Sequence, residues 1–598
     1  MNVSDFTLNF LADRGITEVP FVFGGAIGKL TDAFNRTKRI KPVCFMHEQG
    51  AGFAAEGQAK ISGKPSAAIV TSGPGAQNLA TSIANFHYDS IPGIFITGQS
   101  DLGFLRPNDR VRQVGFQEAP TVDIMRPITK YAVMITDPKM IRLELEKAYH
   151  IAQEGRPGPV LIDLPHDVQG GKIDEGNLPG FDAPETYFDI HAIDRQIDSF
   201  VKDLKKAVRP VVLVGAGVRN AGAMEEISEL ERVLKLPFFP TWNATDIVTS
   251  DSPFYGGRIG SFGGKGRNFG VQNSDLFLGV GTRLSGRIPG GRVNDFARGA
   301  KKYVVDIDQP GLEYQRVPLD EKVHSDARLF LRHLLQRLSG GTLPDFSRWN
   351  EKVFEWRDKY DPVLPEYAET EGHVHAYHFM RTLSQEMVSG DIVVGDCGGN
   401  IIVSNHAFET KKGQRTITNN GNSPMGFSFA GALGAWMASD KKHNVVCTIG
   451  DGGMTMNTQE LQTMKHYGMC AKVFVLDNHC YGLTRNTQRN NFDGRTIANG
   501  PDGYTHPDFI EVARAYGIQT FKLDDPAEAR ATIIKVLNYK GPAVCVVENG
   551  DFDDYQPRVF GARPIEDQDP QLSRKEFRKN MIVDPLHGWE NGSYKVAE

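Results

Sequence analysis

An aspartate, an asparagine and a glutamate are the residues best placed to do chemistry in this chain. Asp451 follows an apolar run in Val445-Val-Cys-Thr-Ile-Gly-Asp-Gly-Gly453, and Asn478 ends a second one, Val473-Phe-Val-Leu-Asp-Asn478. The spacing predicts a strand, a tight glycine turn, a helix over Thr458–His466 and a second strand, which is one βαβ unit. Ligands of such sheets bind at the carboxyl ends of the strands, where Asp451 and Asn478 both fall. A carboxylate and an amide oxygen suit Mg²⁺, a hard cation that also takes phosphate oxygens. Gly450, Gly452 and Gly453 would let backbone N–H groups approach a diphosphate at a helix N-terminus. Alone, Gly-Asp-Gly is a common βα turn, and the asparagine after a complete unit is what favours a metal. Glu48, in Phe45-Met-His-Glu48-Gln-Gly-Ala-Gly-Phe-Ala-Ala-Glu56, follows an apolar strand and opens a helix. Its bland reading is a helix N-terminal acid favoured by the macrodipole. Its chemical reading is a general acid–base group, worth ~10²–10⁴-fold. Glu56, two turns on, reads as structural.

The elements that must position these residues fall into three blocks, as expected of 598 residues. Each block alternates short β-branched runs with amphipathic stretches, so the expected fold is α/β, three doubly wound parallel-sheet domains. The first covers residues 1–170, with strands at Ala67–Thr71 and Gly93–Thr97 and a closing Gly158-Pro-Val-Leu-Ile-Asp. An acidic linker follows around Gly170–Pro184. The second, 190–340, opens at Arg209-Pro-Val-Val-Leu-Val-Gly215, and Gly340–Asp361 reads as a polar connection. The third, 362–550, closes on Gly541-Pro-Ala-Val-Cys-Val-Val547. Its Gly-Pro-strand ending matches that of the first block, which fits two related domains flanking a different one. Residues 551–598 read as an aperiodic tail packed on the surface.

Composition narrows the function classes. A net charge of −6 gives no basic stripe for nucleic acid. No apolar run is long enough to cross a bilayer, and Met1-Asn-Val-Ser-Asp-Phe does not begin a secretory signal. None of the six cysteines belongs to a C-x-x-C pair, so they read as reduced thiols of a cytoplasmic protein. Cys44 and Cys447, in apolar runs, are expected to be buried. Small-molecule chemistry is the class that remains.

Gly450-Asp-Gly452 followed by Asn478 resembles the signature of thiamine-diphosphate enzymes. The resemblance implies Mg²⁺ held by Asp451, Asn478 and the backbone carbonyl of Cys480, with Asp477 standing where that family usually has a second asparagine. Asn422-Ser-Pro-Met-Gly-Phe427 is similar to the family's pyrimidine-binding turn. There Met425 holds the cofactor bent and Ser423 offers its carbonyl to the amino group. Gly398-Gly399-Asn400 is similar to the other diphosphate loop, and Glu48 matches the glutamate that activates the cofactor through its pyrimidine nitrogen. Because the family builds each site from two subunits, the resemblance implies a homodimer or homotetramer with active sites between subunits.

The first block is similar to acetohydroxyacid synthase in Thr71-Ser-Gly-Pro-Gly-Ala-Gln-Asn78, Asp89-Ser-Ile-Pro92, Ile96-Thr-Gly-Gln99 and Phe116-Gln-Glu118. This similarity places Phe116 and Gln117 at the substrate. Gly215-Ala-Gly217, Gly281-Thr-Arg283 and Val305-Asp-Ile-Asp308 resemble that family's flavin-binding domain. Leu284-Ser-Gly-Arg287 keeps the arginine of the synthase but loses its acid pair. FAD binding and an empty middle domain both stay open. Thr487 stands where the synthase has a tryptophan that contacts the acceptor, and Arg485 and Asn486 read as added polar reach. The continuation, Thr487-Gln-Arg-Asn-Asn-Phe-Asp-Gly-Arg495, resembles synthase-like proteins of surface-polysaccharide sugar synthesis. The implied activity is decarboxylation of a 2-oxo acid, pyruvate foremost, with transfer of the two-carbon unit to a second carbonyl compound. Transfer to a keto-sugar nucleotide and simple decarboxylation are the alternatives. An inactive scaffold is disfavoured, since Glu48, Asp451 and Asn478 are all intact.

Overall fold

The computed structural model describes residues 1–594, and the end of the expected tail, 595–598, lies outside the described residues. Three parallel sheets frame the chain. The first comprises β1 (Glu18–Val22), β2 (Lys41–Cys44), β3 (Ser66–Val70), β4 (Gly93–Gln99), β5 (Tyr131–Met134) and β6 (Pro159–Pro165), ordered β2-β1-β3-β4-β6-β5. The second comprises β7 (Pro210–Val214), β8 (Phe238–Pro240), β9 (Leu276–Val280), β10 (Lys301–Asp306) and β11 (Glu321–His324), ordered β11-β10-β9-β7-β8. The third comprises β12 (Ile392–Gly395), β13 (Arg415–Ile417), β14 (Val445–Gly450), β15 (Lys472–Asp477), β16 (Gln519–Leu523) and β17 (Ala543–Glu548), ordered β13-β12-β14-β15-β17-β16. The outer two sheets thus share one winding, and the matched Gly-Pro endings, β6 and β17, occupy the same place in it. Strands β3, β4 and β6 are buried at every residue, as strands covered on both faces must be.

Helix Glu48–Ser62 lies against helix Phe427–Ala438 and joins the first sheet's layer to the third's. Small residues let the two backbones touch: a Cβ on Gly434 would stand 1.8 Å from the carbonyl oxygen of Ala54, and one on Gly57 2.0 Å from that of Gly431. Glu56 is buried in this joint, paired with Lys60 at 2.9 Å and accepting amide N–H groups from Asn85 and Asn419.

Four expectations need correction. Gly340–Asp361 is no plain connection, because it contains helix Ser347–Lys359. Its buried face, Trp349, Val353 and Trp356, has helical spacing that the polar residues between had masked. The tail does not lie on the surface: Ile565, Glu566, Asp567 and Gln568 are buried. Asn268 donates to the Ile565 carbonyl, Gln568 to that of Gly263, and Arg298 pairs with Glu566. Burial of this kind is polar and aperiodic, so hydrophobic patterning does not register it. Cys44 is exposed, because β2 is an edge strand that turns Val43 and Phe45 inward instead. The helix expected over Thr458–His466 is two, Asp451–Met456 and Glu460–His466, so helix begins at Asp451 itself. Among the described residues no helix is long and apolar enough to cross a membrane.

Candidate functional site

Strands β14 and β15 pair in parallel with Gly450 opposite Leu476, so their carboxyl ends deliver Asp451 beside Asp477. Asp451 is 2% exposed. Its Oδ1 accepts the Gly452 N–H at 2.7 Å, while the buried Oδ2 has no hydrogen-bond partner. Burial, with the Asp477 charge second, pushes the Asp451 carboxyl up to about 6. The Asn478 side-chain nitrogen is committed to the Phe552 carbonyl at 2.5 Å and to Cys480 Sγ at 3.2 Å, which orients the amide and frees its oxygen. The Cys480 carbonyl accepts from Gly482 N–H and keeps a second lone pair. A buried carboxylate oxygen with no hydrogen-bond partner at one strand end and an uncommitted amide oxygen just past the next suit a hard divalent cation. Both groups are otherwise costly to bury.

The glycines of this turn are required by space. A Cβ on Gly452 would meet Tyr481 at 2.5 Å and the Met425 methyl at 3.0 Å, and one on Gly453 would meet Asp396 Oδ2 at 2.2 Å. Asp396 ties the loops together. Buried just past β12, it accepts the N–H groups of Gly426 and Ser428 at 3.1 Å each and so caps helix Phe427–Ala438. The same turn presents Ser423, at φ +56°, and Met425. Asn400 accepts the Asp396 N–H at 3.0 Å, and its own side-chain N–H₂ is a buried donor with no partner, as a site for an anionic group would leave it. Gly399 and Gly482 both abut the Tyr555 hydroxyl, a group from the tail. The third sheet therefore brings together Gly398, Gly399, Asn400, Ser423, Met425, Gly450, Asp451, Gly452, Gly453, Asn478 and Cys480.

Glu48 is not among them. It opens helix Glu48–Ser62 after the His47 cap, accepts from Asn78 Nδ2 at 2.9 Å, and is partly exposed. Its Oε1 lies 3.2 Å from where a Cβ on Gly75 would stand, and the same turn carries Gly73 against the backbone of Gln117, at φ +57°. Phe116 beside it is 89% exposed. Among the described residues no hydrogen bond or ion pair joins Glu48 to Ser423, Met425, Asp451 or Asn478. The tie between them is Glu460, fully buried, which accepts the N–H groups of Met46 and His47 at 3.2 Å each. Burial pushes its carboxyl up to about 7.

Thr487 lies exposed on helix Gly482–Asn491, its hydroxyl donating to the Leu483 carbonyl at 2.8 Å. Arg485 does not provide the reach expected of it. It is turned inward, with Asp553 at 2.8 Å and Asp551 at 2.5 Å, and Asn486 is buried beside it. Arg287 lies elsewhere. Its guanidinium is 5.0 Å from the Trp242 ring centre, and with Arg283 it lines a cavity of about 970 Å³ bounded by Gly215, Gly217, Gly281, Asp306 and Asp308. Sequence reasoning missed Asp396, Glu460, Tyr555 and His506. Asp396 carried the signal Asp451 did, an acid just past a strand and before glycines. Glu460 and Tyr555 carried none, since their partners are remote in sequence. His506 stands 2.9 Å from Asp477 and 3.6 Å from Asp451, and its hydrogen bond to Asp477 pushes it up to about 9.

Three family models match in succession. Thiamine pyrophosphate enzyme, N-terminal TPP binding domain, covers residues 1–124; the central domain covers 197–334; and the C-terminal TPP binding domain covers 396–547. The acetolactate synthase large subunit of Lactococcus lactis subsp. lactis is 33% identical over 91% of this chain and 92% of its own length. The probable acetolactate synthase large subunit of Methanocaldococcus jannaschii is 33% identical over 86% of each chain. Acetolactate synthase isozyme 1 large subunit of Escherichia coli K12 is 30% identical over 93% of this chain and 95% of its own.

Proposed function

This chain belongs to the thiamine pyrophosphate enzymes, on the acetolactate synthase-like branch, and from that premise we propose that it decarboxylates a 2-oxo acid, pyruvate foremost, and passes the two-carbon unit to a second carbonyl compound. The observation that carries the metal-and-diphosphate part of this reading is the buried Oδ2 of Asp451, which has no hydrogen-bond partner, at the end of one strand, with the amide oxygen of Asn478 just past the end of the next. Asp451, Asn478 and the Cys480 carbonyl would hold Mg²⁺. Gly450, Gly452, Gly453, Gly398, Gly399 and Asn400 would line the diphosphate, and Ser423 and Met425 the pyrimidine side. Bound thiamine diphosphate would supply the electron sink for loss of CO₂. Glu48 would hold the proton at the pyrimidine nitrogen, with Phe116, Gln117 and Thr487 on the substrate side. The domain boundaries of this reading are 1–170, 190–340 and 362–550.

Glu48 would reach the cofactor from a second copy of the chain. The exposure of Phe23, Met46 and Phe116 around its turn supports such a partner, since large apolar groups clustered on a surface mark an interface. The central cavity would take a nucleotide-type cofactor, of which FAD is one. Its volume lies at the upper end of ligand pockets, and Arg283 and Arg287 line it without an ion-pair partner among the described residues. Thr487, exposed where the synthase has a tryptophan, favours a second reading in which the acceptor is a polyhydroxylated carbonyl compound such as a keto-sugar nucleotide. Mass analysis of products from pyruvate with aldehyde, ketone and keto-sugar acceptors tests both. Adducts two carbons heavier than an acceptor bear out carboligation, a preference for 2-oxobutyrate returns the chain to acetolactate synthase chemistry, and acetaldehyde alone refutes carboligation.

A further inference from the structure

Where the central domain meets the third sheet, a small cavity of about 30 Å³ lies between Trp242, Thr245 and Arg258 on one side and Val393, Thr416 and Thr418 on the other. Arg258, Thr245 and Thr418 are all buried, and each keeps a polar atom that no hydrogen bond reaches. These atoms are Nε of Arg258 and the hydroxyl oxygens of the two threonines. The rest of the Arg258 guanidinium is spent on neutral acceptors. Nη1 donates to the Ser404 carbonyl at 2.8 Å and the Asn405 carbonyl at 3.3 Å, and Nη2 to the Thr410 hydroxyl at 3.0 Å. Among the described residues no carboxylate pairs with Arg258, and none lines the cavity. The acids nearby are committed elsewhere. Asp246, next to Thr245, is shared by Arg219 at 3.0 Å and Arg415 at 2.8 Å, and Glu409 pairs with Arg381 at 3.2 Å. Arg267, buried as well, adds a charge of the same sign. Burial first, and Arg267 with it, press the Arg258 guanidinium below its usual range, but an arginine keeps its proton in a protein. A buried charge of this kind calls for a counter-charge.

We propose that the cavity binds one small monovalent anion of the halide class, held by the Arg258 Nε–H and the Thr245 and Thr418 hydroxyls. The volume admits about one or two water-sized bodies, hence one halide ion. A water would satisfy the hydroxyls but leave the arginine's charge unbalanced, and a cation would be repelled by it. The anion's place gives it a role. Thr418 directly precedes Asn419, whose amide oxygen accepts the N–H groups of Asn422 and Ser423 at 3.1 and 2.9 Å. Gly395 of β12, also on the cavity, directly precedes Asp396. Occupation would therefore fasten the central domain to the roots of both loops on the third sheet.

The test uses the full chain saturated with thiamine diphosphate and magnesium gluconate, with sodium gluconate exchanged for sodium chloride or bromide at constant ionic strength. Gluconate is too large for the cavity. The melting midpoint is expected to rise with halide along the logarithmic course of a ligand bound only by the folded chain. Thr245→Val and Thr418→Val keep the side-chain shape and remove one donor each, so each is expected to lower the apparent halide affinity about tenfold or more. Crystals soaked in sodium bromide should show one anomalous peak per chain in the cavity, absent in Arg258→Met. If that variant does not fold, the threonine variants decide the question. Equal midpoints in gluconate and halide would overturn the proposal. So would the same halide response in wild type and both threonine variants, or an ordered water without bromide signal in the cavity. Neither readout requires turnover, so the outcome stands whether or not pyruvate proves to be the substrate.

Discussion

At the scale of single residues, chemistry was legible where it depends on neighbours in sequence. Asp451 and Asn478 announce themselves because each follows an apolar strand, and the parallel register brings the carboxyl ends of those two strands together. Glu48 was legible as a helix-opening acid, but its partial exposure beside Asn78 was not, since that neighbour is remote in sequence. Asp396 and Glu460 escaped notice because their work is to accept backbone N–H groups from segments far away in sequence. Glu48→Gln is expected to keep cofactor affinity within about tenfold and to cut turnover by ~10²-fold or more, the scale of a lost general acid–base group. Steady-state kinetics with cofactor titration measure both. Turnover near wild type would assign the proton to another residue.

At the scale of elements, strands followed from apolar runs and the matched ends of the outer domains from Gly-Pro pairs, while strand order and the joints between domains did not show in the pattern. The contact of helices Glu48–Ser62 and Phe427–Ala438 is made by glycines, which carry no hydrophobic signal. A methyl on Gly434 has no room beside the Ala54 carbonyl, so Gly434→Ala is expected to destabilise by about 1–3 kcal/mol, as overpacking does. Denaturant midpoints at constant slope measure it. Glu460 sets a pH dependence in the same region. Burial raises its folded-state pKa from 4.5 to about 7, so between these values the folded chain keeps a proton that the unfolded chain has released. The contribution is full below the unfolded value and is lost as pH rises through about 7. Relative to Glu460→Gln, the wild type should therefore lose stability from pH 4.5 to 7, by paired denaturant melts; parallel curves would show that its burial is relieved in solution.

At the scale of the whole molecule, the repeated winding of the outer sheets would account for the two half-sites of the proposed reading. Glu48 follows β2 and Asp451 follows β14, each at the carboxyl end of a strand of its own sheet, and the proposed second copy would bring them face to face. Mixing subunits tests this arrangement. Glu48→Gln chains and Asp451→Ala chains, each strongly impaired alone, should regain activity when refolded or expressed together, because in the proposed arrangement a hybrid dimer contains one intact site. No recovery despite hybrid formation would place both groups in a single chain's site. The central claim, that Asp451 and Asn478 hold a metal that anchors thiamine diphosphate, is tested most directly by stripping the protein with chelator and dialysis and measuring CO₂ release from pyruvate. The expected result is no release from the stripped protein, none with thiamine diphosphate or Mg²⁺ alone, and recovery only with both. Undiminished release from fully stripped protein would contradict it.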